Sequence, residues 1–311
     1  MKIGFWGTPD IASYCIEALH INHEICFVVT QPDKPAGRNN VLTPPQAKET
    51  ALKLDIPVLQ PETLKDNSFL EKIKKFDADI FVVVAYGKLI PPAIFNAPPL
   101  KTINLHPSLL PKYRGAAPIQ WALINGETET GVTVQMINEK MDAGDIVVQE
   151  KITLDDMMNA DDLYNQALPI GVKLLNRAIE LIASGITDFE KQKDEEATFC
   201  KKITRDTAKI NWNEPAYAIH NLVRGLAAKP AAWTLFRGTS MKIFRTTVVK
   251  IEELQETLTP GEIIRYQKKR LIAGTGSGLL EIIELQPETK KKLDAASFIN
   301  GYDLKNDSRF M

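Results

Sequence analysis

The run Asp79-Ile80-Phe81-Val82-Val83-Val84 constrains the fold more than any other stretch of this chain. Five consecutive apolar residues leave no position for water and predict a strand covered on both faces. Strands of that kind belong to parallel sheets flanked by helices. The neighbouring pattern agrees. Lys2–Trp6 is a short apolar run ending at a glycine turn, Ile11–Leu19 has helical spacing, and Glu24–Val29 reads as a second strand. From Ala160 to Ser184, apolar residues at Leu163, Ala167, Ile170, Leu174, Leu175, Ala178 and Leu181 mark one face of a long helix. Strands alternating with helices predict a doubly wound, mostly parallel, Rossmann-like sheet with right-handed crossovers. Ligands of such sheets bind beyond the carboxyl ends of the strands. Gly7-Thr8-Pro9 follows the first strand without a GxGxxG pattern, so a tight strand-to-helix turn is expected there rather than a dinucleotide site.

The pattern changes in the last third. Lys191–Arg205 is polar, with the charged core Lys191-Gln192-Lys193-Asp194-Glu195-Glu196, and reads as a linker. Short candidate strands then recur at Ala232–Phe236, Met241–Val249, Glu262–Tyr266, Arg270–Ala273 and Leu279–Leu285, punctuated by glycines. They predict a small, OB-like β-barrel, an architecture that often binds nucleic acid. The expected organisation is therefore a catalytic domain over residues 1–190, a linker over 191–205 and a barrel over 206–311.

Charge is uneven between these parts. From Asp206 onward there are 16 Lys+Arg against 12 Asp+Glu, whereas the preceding residues hold 22 against 27. A basic barrel on an acidic body suits an RNA-binding module. Cys15, Cys26 and Cys200 form neither a CxxC pair nor a metal spacing, so buried thiols in a reducing cytoplasm are expected, with no metal. Met1-Lys2-Ile3-Gly4 runs into a strand without a signal-peptide pattern, and no apolar run is long enough to span a bilayer. No membrane partner is expected, and the chain is expected to be a monomer.

The chemistry concentrates in Asn104-Leu105-His106-Pro107-Ser108-Leu109-Leu110-Pro111. In a strand, residues i and i+2 point to the same face, so Asn104 and His106 aim into one cleft and Pro107 ends the strand behind them. Asn104 offers amide N–H groups to a developing oxyanion. His106 is the side chain best suited to moving protons near neutral pH. A carboxylate to orient the imidazole is available downstream in Met141-Asp142-Ala143-Gly144-Asp145, from either Asp142 or Asp145. Asn, His and Asp together suit acyl transfer through a tetrahedral intermediate, with no covalent enzyme adduct and no metal.

A second feature is the connection Gln31–Pro45, long for an α/β unit, where such loops usually have ~2–6 residues. Pro32, Pro35 and Gly37 predict an irregular path, and Lys34 and Arg38 can meet phosphates or splayed bases.

Asn-x-His-Pro-Ser-Leu-Leu-Pro followed by Asp-x-Gly-Asp resembles the folate-dependent formyltransferases. Phe5–Asp10, Thr30–Arg38, Val82–Gly87, Arg114–Gln120 and Leu285–Pro287 extend the resemblance over nearly the whole chain. The Gln31–Arg38 loop and the C-terminal part resemble the branch that acts on charged tRNA. The resemblance implies transfer of a formyl group from 10-formyltetrahydrofolate to the amino group of methionyl initiator tRNA. It selects Asp142 as the catalytic carboxylate beside Asn104 and His106. It also implies folate contacts from Ser108, Leu109, Leu110 and Pro111, with Leu89 and Ile90 beyond the buried strand. It implies that the Arg38 loop enters the acceptor-stem region, with Lys242, Arg245, Lys268, Lys269 and Arg270 as candidates for a basic barrel face. Two departures stand out. Trp6 occupies a position that is usually small, and Asn39-Asn40-Val41 replaces the glycine and lysines that usually follow the arginine.

Overall fold

The computed structural model describes residues 1–37, 40–227, 229–250, 257–302, 304 and 308–311. The chain forms two compact units. The first comprises Met1–Gly115, Thr130–Ile152 and Asn165–Phe199; the second comprises Ala116–Glu129, Thr153–Tyr164 and Cys200–Met311.

The first unit is built on a seven-stranded sheet. Its spatial order is Ile146–Thr153, Glu129–Met136, Thr102–His106, Ile80–Val84, Lys2–Gly7, Glu24–Val29 and Val58–Leu59. From Thr102–His106 to Val58–Leu59 all neighbours run parallel, and Glu129–Met136 joins antiparallel. Chain order reverses between Lys2–Gly7 and Ile80–Val84, which opens a crevice beyond their carboxyl ends. The run that predicted a doubly covered strand, Ile80–Val84, is buried at all five positions.

Helix Asp10–His20 buries Ala12, Cys15, Ile16 and Leu19, an i, i+3, i+4, i+7 stripe. Its approach to the sheet explains Gly7. A Cβ there would sit 2.4 Å from Ala12 Cβ and 2.7 Å from Val84 O. Trp6 is fully buried, with its ring edge-on to Phe69 and Tyr86 at centroid distances of 6.0 and 5.3 Å.

The Gln31–Pro45 connection is more regular than its prolines predict. Lys34–Ala36 pairs antiparallel with Val41–Thr43. A two-stranded ribbon has free edges on both sides, so a proline lacking N–H is tolerated. The ribbon's base is tied to the sheet. Lys48 Nζ donates to both Asp33 oxygens at 2.9 and 2.8 Å, Gln60 Nε2 donates to Gln31 O at 2.9 Å, and Gln31 Nε2 donates to Tyr86 O at 2.9 Å. Residues 191–205 likewise carry structure, a 3-10 turn at Asp194–Glu196 and a short strand at Phe199–Cys200.

The second unit contains an antiparallel sheet ordered Ala232–Phe236, Thr239–Val249, Leu279–Pro287, Arg270–Gly274 and Ile263–Tyr266. The C-terminal tail meets both edges. Leu235 and Met311 exchange backbone hydrogen bonds of 2.8 and 2.9 Å, while Ile263 N donates to Ser308 O and Phe310 N donates to Gly261 O. The tail thus closes the sheet into a barrel and removes its free edges. Trp212, Phe236, Phe298 and Phe310 fill the interior, with Trp212 stacked on Phe310 at 5.2 Å.

Segment Thr153–Tyr164 belongs to this unit because helix Ala216–Gly225 holds it. Tyr217 donates to the Asp156 carboxylate, His220 Nε2 to Asp156 O, and Arg224 to Asp155 O and Met158 O. His220 is buried, and Thr246 Oγ1 lies 2.9 Å from its Nδ1. Burial lowers the His220 pKa from its ordinary 6.5, helped by the nearby Arg224 charge and opposed by the bond to Asp156 O. The unfolded chain therefore binds the extra proton first as pH falls. This contribution to stability is full above about 6.5 and is lost as pH drops towards the folded value. The thermal midpoint of the wild-type chain should fall between pH 7.5 and 5.5, and His220→Gln should flatten that fall. An equal slope in the variant would assign the pH dependence to other groups.

Candidate active site

Strand Thr102–His106 delivers Asn104 and His106 to the carboxyl-end side of the sheet. Its register with the antiparallel neighbour sets Asn104 opposite Gln135 and His106 opposite Thr133. Directly opposed residues share a face, so Gln135 is brought to the Asn104 side. Asn104 is half-buried, and its carboxamide makes no hydrogen bond with a described residue. It is a donor held at a strand end with its N–H groups uncommitted.

His106 is 4% exposed. Its Nε2 lies 2.9 Å from Tyr113 O. A carbonyl can only accept, so Nε2 carries the proton and the neutral ring keeps its lone pair on Nδ1. That Nδ1 is 3.8 Å from Asp142 Oδ1. The gap is too long for a direct hydrogen bond, but a water set to one side can reach both atoms with bonds of about 2.8 Å.

Asp142 sits in the left-handed region, φ 50°. Both carboxylate oxygens are held. Gly115 N donates to Oδ2 at 2.9 Å and Gln135 Nε2 to Oδ1 at 3.3 Å. The loop's close seat on the strand depends on Gly144, where a Cβ would lie 1.7 Å from Met136 O.

Gln135, Gln192 and Arg114 escape sequence reasoning. Gln192 Nε2 faces Asp142 O at 3.0 Å, Gly144 O at 2.7 Å and Gln135 Oε1 at 3.0 Å. Arg114, buried in spite of its charge, donates through Nε to Gln192 Oε1 and through NH1 to Asp194. The hydrogen bond from Arg114, joined by Lys140, holds the Asp194 carboxyl below the usual range. Arg114 at least lay inside a recognisable motif. Gln192 lay in a charged run that resembles solvated surface, and nothing local marks it.

The expected folate stretch divides. Ser108 and Leu110 are buried. Ser108 Oγ donates to Lys112 O at 2.7 Å, and Leu110 is tied through its N to Thr133 Oγ1 and through its O to Gln149 Nε2. These two hold the loop's shape. Leu109 and Pro111 are half-buried, Ile90 packs beside the Trp6 and Tyr86 cluster, and Leu89 is 75% exposed. Leu89, Ile90, Leu109 and Pro111 are therefore the members with side-chain surface to offer a ligand.

The candidate RNA contacts also divide. Lys34 is exposed and its Nζ donates to Gln31 Oε1 at 2.7 Å. Arg38 and Asn39 lie outside the described residues. Lys242 and Arg245 are exposed on strand Thr239–Val249, and Lys268 and Lys269 are exposed at the turn between Ile263–Tyr266 and Arg270–Gly274. Arg270 differs. Its Nε and NH2 both bind Glu281 Oε2, at 3.0 and 2.6 Å, so its charge is matched within the barrel. Among the described residues, no group of three or more His, Cys, Asp or Glu could hold a metal ion, and no helix is long and apolar enough to cross a membrane.

The formyl transferase model matches residues 1–179, and that of its C-terminal domain matches residues 202–303. The chain belongs to the formyl transferase family. Two relatives, each named methionyl-tRNA formyltransferase, extend the match across both units. The one from Staphylococcus epidermidis is 41% identical over 301 residues, covering 96% of each chain. The one from Thermodesulfovibrio yellowstonii is 44% identical over 298 residues, covering 96% of this chain and 94% of its own. The fold is also shared with a solved N-formyltransferase from Helicobacter canadensis in complex with folinic acid and dTDP-3-aminofucose. That likeness has a TM-score of 0.68 at 21% identity and covers 92% of this chain and 99% of the other. As a family member the chain is an enzyme of formyl transfer, and Asn104, His106 and Asp142 lie within the matched N-terminal region.

Proposed function

We propose that this chain transfers the formyl group of 10-formyltetrahydrofolate to the α-amino group of methionyl initiator tRNA, acting as a cytoplasmic monomer. The product, formylmethionyl-tRNA, serves translation initiation. The observation that carries the acceptor assignment is sequence identity above 40% through both units to two relatives named for that reaction.

Each residue has a place in the chemistry. The folate supplies the formyl group. Asn104, with its carboxamide uncommitted, donates to the carbonyl oxygen as the amine adds to the carbon and charge develops there. His106 is locked by Tyr113 O so that Nδ1 is the basic atom. A proton leaving the amine passes through a water between Nδ1 and Asp142, and the imidazolium so formed faces a carboxylate held by Gly115 N and Gln135. The same proton then returns to the departing folate nitrogen, which balances the transfer and leaves the enzyme unchanged. Leu89, Ile90, Leu109 and Pro111 provide surface for the folate. The ribbon of Lys34–Ala36 with Val41–Thr43, together with Arg38 and the exposed Lys242, Arg245, Lys268 and Lys269, provides contacts for the tRNA.

Purified protein given 10-formyltetrahydrofolate should formylate methionyl initiator tRNA and leave uncharged tRNA and small amines unmodified. The readout is formylmethionine released from the tRNA. Formylation of a nucleotide-sugar amine instead would overturn the acceptor while keeping the catalytic site.

A further inference from the structure

We propose that Gln192 is a positioning residue for Asp142, with Arg114 fixing which way its carboxamide points. The inference rests on the proposed formyl transfer for its kinetic consequence, though not for its structural one.

Asp142 occupies the left-handed backbone region, φ 50°, which Asp tolerates better than most residues with a Cβ, so the contacts that hold the turn decide where its carboxylate points. Its carboxylate is held from below by Gly115 N and Gln135, but its main-chain carbonyl has a different keeper. Gln192 Nε2 lies 3.0 Å from Asp142 O and 2.7 Å from Gly144 O, bracketing the turn on both sides of Ala143. The same nitrogen lies 3.0 Å from Gln135 Oε1, and Gln135 in turn donates to Asp142 Oδ1 and accepts from Gly144 N. Gln192 therefore touches the turn directly twice and the side chain that orients the carboxylate once.

This works only if the carboxamide nitrogen faces the turn. Arg114 enforces that. A guanidinium has donors and no acceptor, so its Nε, at 3.0 Å, takes Gln192 Oε1 and leaves Nε2 for the three oxygens. Arg114 is anchored by Asp194, which Lys140 also grips. The chain from Asp194 to Arg114, Gln192 and the Asp142 turn is thus continuous within the first unit.

Two substitutions separate this role from packing. Gln192→Glu keeps size, shape and the Arg114 contact but replaces the N–H donors with oxygen facing three oxygens. Gln192→Met keeps bulk alone. In the full-length protein each should lower kcat at least about 10-fold, because small misplacements of reacting groups carry large rate costs. KM for folate and for charged tRNA should stay within about 3-fold, as the Gln192 carboxamide is committed to Arg114, Gln135, Asp142 and Gly144. In an Asp142→Asn background the further loss should shrink below about 2-fold, since residues acting through one another are non-additive. A packing role predicts that Gln192→Glu is tolerated, which would overturn the proposal, as would an undiminished loss in the Asp142→Asn background.

Amide hydrogen exchange supplies a readout without turnover. Gly115 N–H and Gly144 N–H, bonded to Asp142 Oδ2 and Gln135 Oε1, should exchange faster in both variants than in wild type. Unchanged protection would overturn the positioning role. If wild-type protein fails to formylate any amine, the proposed reaction falls, and the exchange result still decides the role of Gln192.

Discussion

Replacing Asn104 with alanine is expected to lower kcat for formyl transfer by about 10²–10³-fold, the usual cost of deleting one donor to a developing oxyanion. The structure makes this a clean deletion. The carboxamide has no partner among the described residues, so its removal orphans no described protein group. Strand pairing through Val83 and Gln135 is made by backbone and is retained. The thermal midpoint should therefore stay near the wild-type value while turnover collapses. KM should change little, because the donor matters most when charge has developed on the oxygen. Asn104→Asp tests the same point from the other side. It keeps the shape but puts negative charge where the proposed oxyanion develops, and it should be slower still than alanine. A kcat within about 3-fold of wild type for Asn104→Ala would remove Asn104 from oxyanion stabilisation.

The features legible in the sequence are those written in local periodicity. The apolar run Ile80–Val84 forms the doubly covered strand it predicts, and the spacing from Leu163 to Leu181 forms the long helix Ala160–Ala183. The five barrel strands fall where alternation and glycines place them. Asn104 and His106 share a strand face because i and i+2 always do. What is missed depends on partners distant in sequence. The tail Ser308–Met311 closes the barrel, yet four residues alone carry no strand signal. The ribbon Lys34–Ala36 with Val41–Thr43 is hidden by its prolines, which edge positions tolerate. Arg270 reads as a free cation until Glu281, eleven residues on, is seen beside it. Gln192 is the sharpest case. A lone amide among charges looks like solvated surface, and only the fold reveals three oxygens at its nitrogen.

Gly144→Ala should remove activity by a different route, and with a loss of stability that Asn104→Ala does not share. A Cβ at residue 144 would stand 1.7 Å from Met136 O and 2.7 Å from Met136 C. Both are backbone atoms of a sheet strand, so no side-chain rotation relieves the clash and the 141–145 turn must lift. Lifting it lengthens the bonds from Gly144 N to Gln135 and from Gln192 to Gly144 O, and it carries Asp142 away from His106 Nδ1. Overpacking of this kind typically costs about 1–3 kcal/mol, and a backbone clash belongs at the upper end. A lowered thermal midpoint and a kcat loss of about 10²-fold or more are expected together, since a 1 Å displacement of a catalytic group is enough for the latter. Gly301→Ala is the matched control. No atom of the described residues, beyond its chain neighbours and the helix's own backbone, lies within 4 Å of a Cβ there, at the end of helix Ala295–Gly301, so both stability and turnover should hold or improve slightly. If Gly144→Ala turns over normally, the turn has another way to seat Asp142, and the close approach to Met136 is incidental to catalysis. If it loses turnover while keeping its thermal midpoint, the turn yields without strain and Asp142 alone is displaced, which would place the catalytic need for glycine above the structural one.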